Sequence, residues 1–188
     1  MTAKRILIAC MGNIFLGDDG FGTEVARRLA ARPLAPGVLL KDFGIRGLDL
    51  TYALLDPHEL VILVDACPRG GNPGTVYLVE PDPVESEELG GTHLEMHAMN
   101  PMSVLRTVKS MGGAPGRILI VGCEPAEIGS DDDGQLGLSA PVEAAVDEAI
   151  ALIETLVSKT LNGQESNETP KAEMIICASP YLEKSSIC

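Results

Sequence analysis

A glycine-rich turn, one further carboxylate and one histidine stand where this sequence could build chemistry. The stretch Gly12-Asn-Ile-Phe-Leu-Gly17-Asp-Asp-Gly20-Phe-Gly22 packs four glycines and two carboxylates, Asp18 and Asp19, into a strand-to-helix turn. Turns of this kind host ligands in α/β proteins. Two nucleotide readings fail. No Lys-Ser/Thr follows Gly17, as a phosphate-cradling Walker loop requires, and no G-x-G-x-x-G occurs in the turn. Asp18 and Asp19 would also repel the anion that a helix N-terminus otherwise attracts. The loop suits a cation instead. Taken alone, either Asp could serve as a first-turn carboxylate that favours the helix dipole. Asp65 shifts that balance, because it directly follows the apolar run Val61-Ile-Leu-Val64, where a charge must be solvated, paired or bound to metal. His97, in His97-Ala-Met-Asn-Pro-Met102, offers a nitrogen donor. Two carboxylates and an imidazole would make an open site for a divalent transition metal.

Other candidates are weaker. His58 follows Pro57 and reads as a surface residue, and His93 is either a second ligand or a loop side chain. Cys67 lies close behind Asp65 but has no Cys-His motif to make it a nucleophile, and small buried cysteines are common. Ser130-Asp-Asp-Asp-Gly134 lacks the terminal Glu and the ligand spacing of an EF-hand loop, so it reads as a solvated turn.

The elements around these residues alternate. Arg5 to Cys10 is an apolar strand, and Thr23 to Arg32 spaces Val25, Leu29 and Ala30 as one helical stripe that Pro33, Pro36 and Gly37 stop. Val38 to Phe43 reads as a second strand, and Gly44 and Gly47 open a short helix that ends near Asp56. Leu60 to Ala66 is apolar at almost every position, as strands covered on both faces are. Thr75 to Glu80 alternates, Met102 to Met111 sets Val104, Leu105 and Val108 on one helical face, and Arg117 to Cys123 is another buried strand. Ser139 is placed to cap a last helix with Pro141 in its first turn. This order predicts a doubly wound α/β sheet, mostly parallel, in which the carboxyl ends of strands one and three meet at the topological switch point. Asp19 and Asp65 would converge there.

With 188 residues the chain fits one domain, expected over 1–159, followed by a polar tail over 160–188 whose composition predicts poor order. Within that tail Met174 to Ala178 is apolar enough to dock or to form an edge strand. The net charge of −13 opposes nucleic acid and anionic membranes, and 3 % aromatic residues with no Trp removes the usual base-stacking platforms. Apolar runs stay well below the roughly 20 residues a membrane-spanning helix needs. The start, Met1-Thr-Ala-Lys-Arg5, has no signal-peptide character, so a cytoplasmic protein is expected. Five scattered cysteines without a C-x-x-C pair make neither a disulfide framework nor a zinc ribbon.

Gly12-Asn13 through Gly22, Asp42-Phe-Gly44 through Gly47, Val64-Asp65-Ala66, His97 before Val104-Leu105, and Gly137-Leu-Ser139 through Ala144 together resemble the maturation endopeptidases of nickel-iron hydrogenases, in order from about residue 5 to 158. The resemblance implies a three-layer α/β/α fold with helices on both faces of the sheet. It also implies one hydrolysis, in which a C-terminal peptide is removed from the nickel-loaded precursor of the hydrogenase large subunit. By position, the family's metal ligands fall on Asp19, Asp65 and His97, with Asp19 standing where relatives often carry Glu. Asp19 and Asp65 are then the candidate catalytic residues of an aspartic-type or metal-dependent peptidase, and Gly44, Arg46 and Gly47 a candidate substrate-binding turn. No HExxH helix holds a catalytic zinc, so the metal is expected to be nickel supplied by the precursor itself. Two rival classes use the same residues: a non-catalytic nickel-binding chaperone or interaction protein for the large subunit, and a hydrolase of small amides or peptides.

Overall fold

The computed structural model describes residues 5–81, 101–129 and 134–163, together with the backbone of 173–177. Its sheet has six strands: β1 (Ile6–Met11), β2 (Val38–Gly44), β3 (Leu60–Ala66), β4 (Val76–Pro81), β5 (Arg117–Cys123) and β6 (Glu173–Cys177). They lie in the order β2-β1-β3-β5-β4-β6. Strands β2, β1, β3 and β5 are mutually parallel, β4 runs antiparallel to β5, and β6 runs parallel to β4. Four α-helices accompany the sheet among the described residues: α1 (Phe21–Leu29), α2 (Gly47–Leu55), α3 (Pro101–Ser110) and α4 (Ala140–Leu161).

Strand alternation explains the layering. Ile6, Ile8 and Cys10 face one side with Ile62, Val64, Leu119 and Val121, where they meet Val25 and Leu29 of α1 and the apolar stripe of α4. Leu7, Ala9 and Met11 face the other side with Val61, Leu63 and Ile120, against Leu50 and Leu54 of α2 and Val104 and Val108 of α3. Both faces of β1 and β3 are therefore covered, which is why these strands are apolar at almost every position. The expected three-layer α/β/α architecture is what the chain adopts. On the outer surface, Arg28 of α1 pairs with Glu143 of α4, and Arg32 with Glu154 at 3.0 Å, so the two helices of one layer are laced by exposed ion pairs.

Element boundaries move by a residue or two from the sequence expectation, as helix and strand ends generally do. The first helix begins at Phe21, because a short 3-10 turn over Asp18–Gly20 leads directly into it. The last helix runs on to Leu161, and Glu173–Cys177 extends the sheet at the edge beyond β4.

Candidate active site

The sheet order brings β1 and β3 side by side, with Cys10 opposite Val64. β2 lies on one side of this pair and β5 on the other, so the crossovers part company at the carboxyl ends of β1 and β3. Met11, the last residue of β1, and Asp65, the last but one of β3, lie at this crevice.

Two close approaches shape it. Gly12 has φ +136°, and a Cβ there would lie 1.9 Å from the carbonyl oxygen of Asp19. Gly22 sits where a Cβ would lie 2.2 Å from the carbonyl oxygen of Met11 and 2.5 Å from that of Val64. Only glycine lets the loop fold back over itself and lets the first turn of α1 rest on the ends of both strands. The 3-10 turn carrying Asp18 and Asp19 is thereby pressed against β3.

The adjacent aspartates then part in role. Asp18 is 1 % exposed. Its carboxylate accepts hydrogen bonds from the amides of Ala126 (2.8 Å), Glu127 (3.2 Å) and Ser139 (2.6 Å) and from the Ser139 hydroxyl (2.9 Å). Four donors saturate it, so it ties the glycine-rich turn to the loop after β5 and to the start of α4. Ser139 does occupy the position before α4, but its hydroxyl donates to Asp18 instead of capping the helix. Neither Asp18 nor Asp19 caps α1: the residue at that position is Gly20, and no side chain bonds there.

Asp19 is held by one donor, the Asn13 amide at 2.8 Å from its Oδ2. Burial lifts its carboxyl above the usual carboxylate range, against the pull of that amide. Asp65 is 6 % exposed and accepts one bond, from the Ala66 amide at 2.9 Å. Its proton affinity is raised well above the ordinary value, first by burial and then by the negative charge of Asp19. The two carboxylates thus feel each other at the crevice, and both keep acceptor capacity that the described residues do not fill. Among the described residues no cluster of three or more His, Cys, Asp or Glu side chains converges as a metal site. His93 and His97 lie outside the described residues.

The turn after β2 borders the same crevice. The Gly12 amide donates to the Gly44 carbonyl at 3.1 Å, and Gly44 has φ +54°. Asp42 Oδ1 accepts the Gly44 amide at 2.9 Å, while the Arg46 guanidinium reaches back to the carbonyls of Phe43 (3.0 Å) and Asp42 (2.7 Å). Gly44, Arg46 and Gly47 form a self-braced bend whose outer side carries Ile45, 65 % exposed.

Sequence reasoning passed over Glu124. This residue is buried at the end of β5, where its carboxylate accepts the amides of Arg69 (2.9 Å to Oε2) and Gly70 (3.0 Å) and the Tyr77 hydroxyl (2.9 Å). It holds the loop that follows Asp65. The signal was present, since Ile120-Val-Gly-Cys-Glu124 repeats the pattern of an apolar strand ending in a carboxylate. Cys67 is buried and its thiol pushed up to about 11. At neutral pH it is not a thiolate, and it packs so closely that a Cβ on Gly122 would lie 2.6 Å from its own Cβ.

The α/β/α domain sets a pair of carboxylates at its topological switch point, and comparison with known proteins makes the assignment specific. Residues 23–156 match the model of the HycI family, hydrogenase maturation protease. The hydrogenase expression/formation protein HupD of Rhizobium leguminosarum bv. viciae is 33 % identical over 149 residues, covering 79 % of this chain and 71 % of the relative. The solved structure of the hydrogenase 2 maturation peptidase from Thaumarchaeota archaeon SCGC_AB-539-E09 has 31 % identity and a TM-score of 0.62, covering 82 % of this chain and 98 % of that one. The hydrogenase maturating endopeptidase HybD from E. coli, at 24 % identity, shares the fold with a TM-score of 0.67 over 85 % of this chain and 94 % of its own. The chain belongs to the hydrogenase maturation protease family, a family of peptidases.

Proposed function

We propose that this protein removes a C-terminal peptide from the nickel-loaded precursor of a nickel-iron hydrogenase large subunit, and that Asp19, Asp65 and His97 grip the nickel ion the precursor carries. The observation that carries the reading is the carboxylate pair at the switch point. Among the described residues each member has one donor, while the buried neighbour Asp18 has four. Burial and the charge of Asp19 raise the proton affinity of Asp65, and a divalent cation entering the crevice would favour the ionised form of both carboxylates as ligands. His97 joins the set because it precedes Pro101 by four residues. α3 starts on the carboxyl side of the sheet, since its far end leads into β5 at the opposite edge, where Gly116 packs on the carbonyls of His58 and Glu59.

The chemistry follows from that grip. Substrate nickel fixes the neighbouring peptide bond in the crevice and polarises a water or the scissile carbonyl. Water adds to the carbonyl carbon, a carboxylate of the pair takes its proton, the C–N bond breaks, and the proton passes to the departing amine. The mechanism is metal-dependent with the metal belonging to the substrate. The Gly44–Gly47 bend borders the crevice where the polypeptide must pass, which supports its part in substrate binding. The proposed place of the reaction is the cytoplasm, as the sequence reading expects.

Intact mass of the large-subunit precursor, with and without nickel, before and after incubation with the protein, tests the reading. Loss of a C-terminal peptide from the nickel-loaded form alone is the expected result. Stable complex formation with no mass loss would make the protein a nickel-dependent chaperone instead, and turnover of a free small peptide would make it a general peptidase.

A further inference from the structure

Next to the acidic pair the surface is apolar. Ile14, Phe15, Ile128 and Leu136 are 47, 60, 41 and 73 % exposed. They come from two segments more than a hundred residues apart, yet the backbone joins them firmly. Leu16 bridges Gln135 in parallel and Gly17 bridges Ile128 antiparallel. The Gly17 amide donates to the Gln135 carbonyl at 2.7 Å, the Gln135 amide to the Phe15 carbonyl at 2.7 Å, and the Gly129 amide to the Leu16 carbonyl at 3.1 Å. Large apolar side chains held in water by a fixed backbone mark an interaction surface.

That surface is continuous with the candidate active site. The loop bearing Ile14 and Phe15 also supplies the Asn13 amide to Asp19, and the Gly20 amide closes on the Gly17 carbonyl at 3.0 Å. We infer that Ile14, Phe15, Ile128 and Leu136 form a docking platform for apolar side chains of the precursor, in the polypeptide segment adjoining the scissile bond. The inference rests on the endopeptidase reading and adds how the protein substrate is seated.

Two observations define the occupant. Residues 15–17 already spend backbone groups on partners at both sides, Gln135 on one and Ile128–Gly129 on the other. No open edge is left there to take an added strand, so recognition falls to side chains. A second copy of this chain would bring another net charge of −13 against the first, which works against self-association. Because Asn13, next to Ile14 on the same loop, donates to Asp19, a polypeptide seated at Asp19 lies beside this platform, and burying its apolar side chains there leaves the carboxylates to the metal.

The test is kinetic, with the nickel-loaded precursor as the probe and the full chain carrying Phe15→Ser together with Leu136→Ser, both exposed enough to spare the fold. KM for the precursor should rise at least about tenfold while kcat stays within about twofold, as loss of central apolar anchors predicts. In an Asp65→Asn background that binds without cutting, affinity for the precursor should fall by the same factor. An unchanged KM and affinity would overturn the platform while leaving the endopeptidase reading intact. A dimer of the unmodified protein that the double substitution dissolves in sedimentation would also overturn it, giving the platform to a second copy. If the unmodified protein binds the precursor without cutting it, and the double substitution still weakens binding at least tenfold, the platform stands and the endopeptidase reading falls.

Discussion

Replacing Asp65 by Asn should abolish processing and make the protein more stable at neutral pH. In the native protein Asp65 is 6 % exposed, accepts one amide and faces the charge of Asp19. A buried ion without a full set of partners carries a penalty of several kcal/mol, of which one charge-assisted hydrogen bond offsets about 1.5–3. Asn keeps the volume and the acceptor for Ala66 but drops the charge, so a net gain of about 1–2 kcal/mol is expected. For a chain of this length that is about 2–8 °C in Tm. The pH dependence identifies the cause. A carboxyl whose folded pKa is raised contributes full stability below its unfolded value, here 3.8, and that contribution is lost as pH rises through the folded pKa. The advantage of Asp65→Asn should therefore be near zero below the unfolded value, widen as pH climbs, and level off once Asp65 is ionised. Scanning calorimetry of both proteins across that range, paired with precursor processing by intact mass, reads both halves. A variant that processes normally refutes the catalytic argument. A variant destabilised equally at every pH refutes the electrostatic one.

Further substitutions probe the frame and the alternatives. Gly12→Ala should cost at least about 3 kcal/mol by denaturant unfolding, because a Cβ at φ +136° would meet the Asp19 carbonyl at 1.9 Å. Asp18→Asn puts an amide donor among the four donors that converge on Asp18, and a loss of about 2–4 kcal/mol in the same measurement is expected. Cys67→Ala should retain processing with kcat within about threefold, since a buried thiol held at about 11 is no nucleophile. Complete loss of processing in a folded Cys67→Ala protein would reinstate the cysteine reading.

The period of apolar residues carried most of the fold. Strands such as Leu60–Ala66 and Arg117–Cys123 stand where the sequence puts them, because a strand buried on both faces leaves an uninterrupted apolar run between turn residues. Asp19 and Asp65 were legible for a related reason: doubly wound topology brings the ends of strands one and three together, and each carboxylate follows a strand end or opens a turn there. What sequence could not assign was the partner of each polar group. Ser139 reads as a helix cap by position, yet its hydroxyl turns to Asp18, a residue 121 positions away. Glu124 escaped notice because its meaning lies in the loop it holds and not in its own neighbours. Long-range hydrogen bonds have no local signature, so structural and catalytic carboxylates look alike in sequence.

That difficulty bears on how the site is recognised at all. Asp18, Asp19, Asp65 and Glu124 are all acidic residues at one edge of one sheet, and burial alone does not separate Asp65 from Asp18 and Glu124: the three are 6 %, 1 % and 4 % exposed. The number of donors does. Asp18 and Glu124 are surrounded by amides and hydroxyls that satisfy their oxygens, and each ties together segments distant in sequence. Asp19, only partly buried, and the buried Asp65 feel each other's charge and have one amide apiece among the described residues, an arrangement that an entering cation would stabilise. A buried carboxylate left short of donors marks a candidate functional site, where a water, an ion or a substrate group completes it. On the function proposed above, the completing group comes with the substrate, and the crevice would reach its most stable charge state only after the correct precursor, nickel in place, has docked.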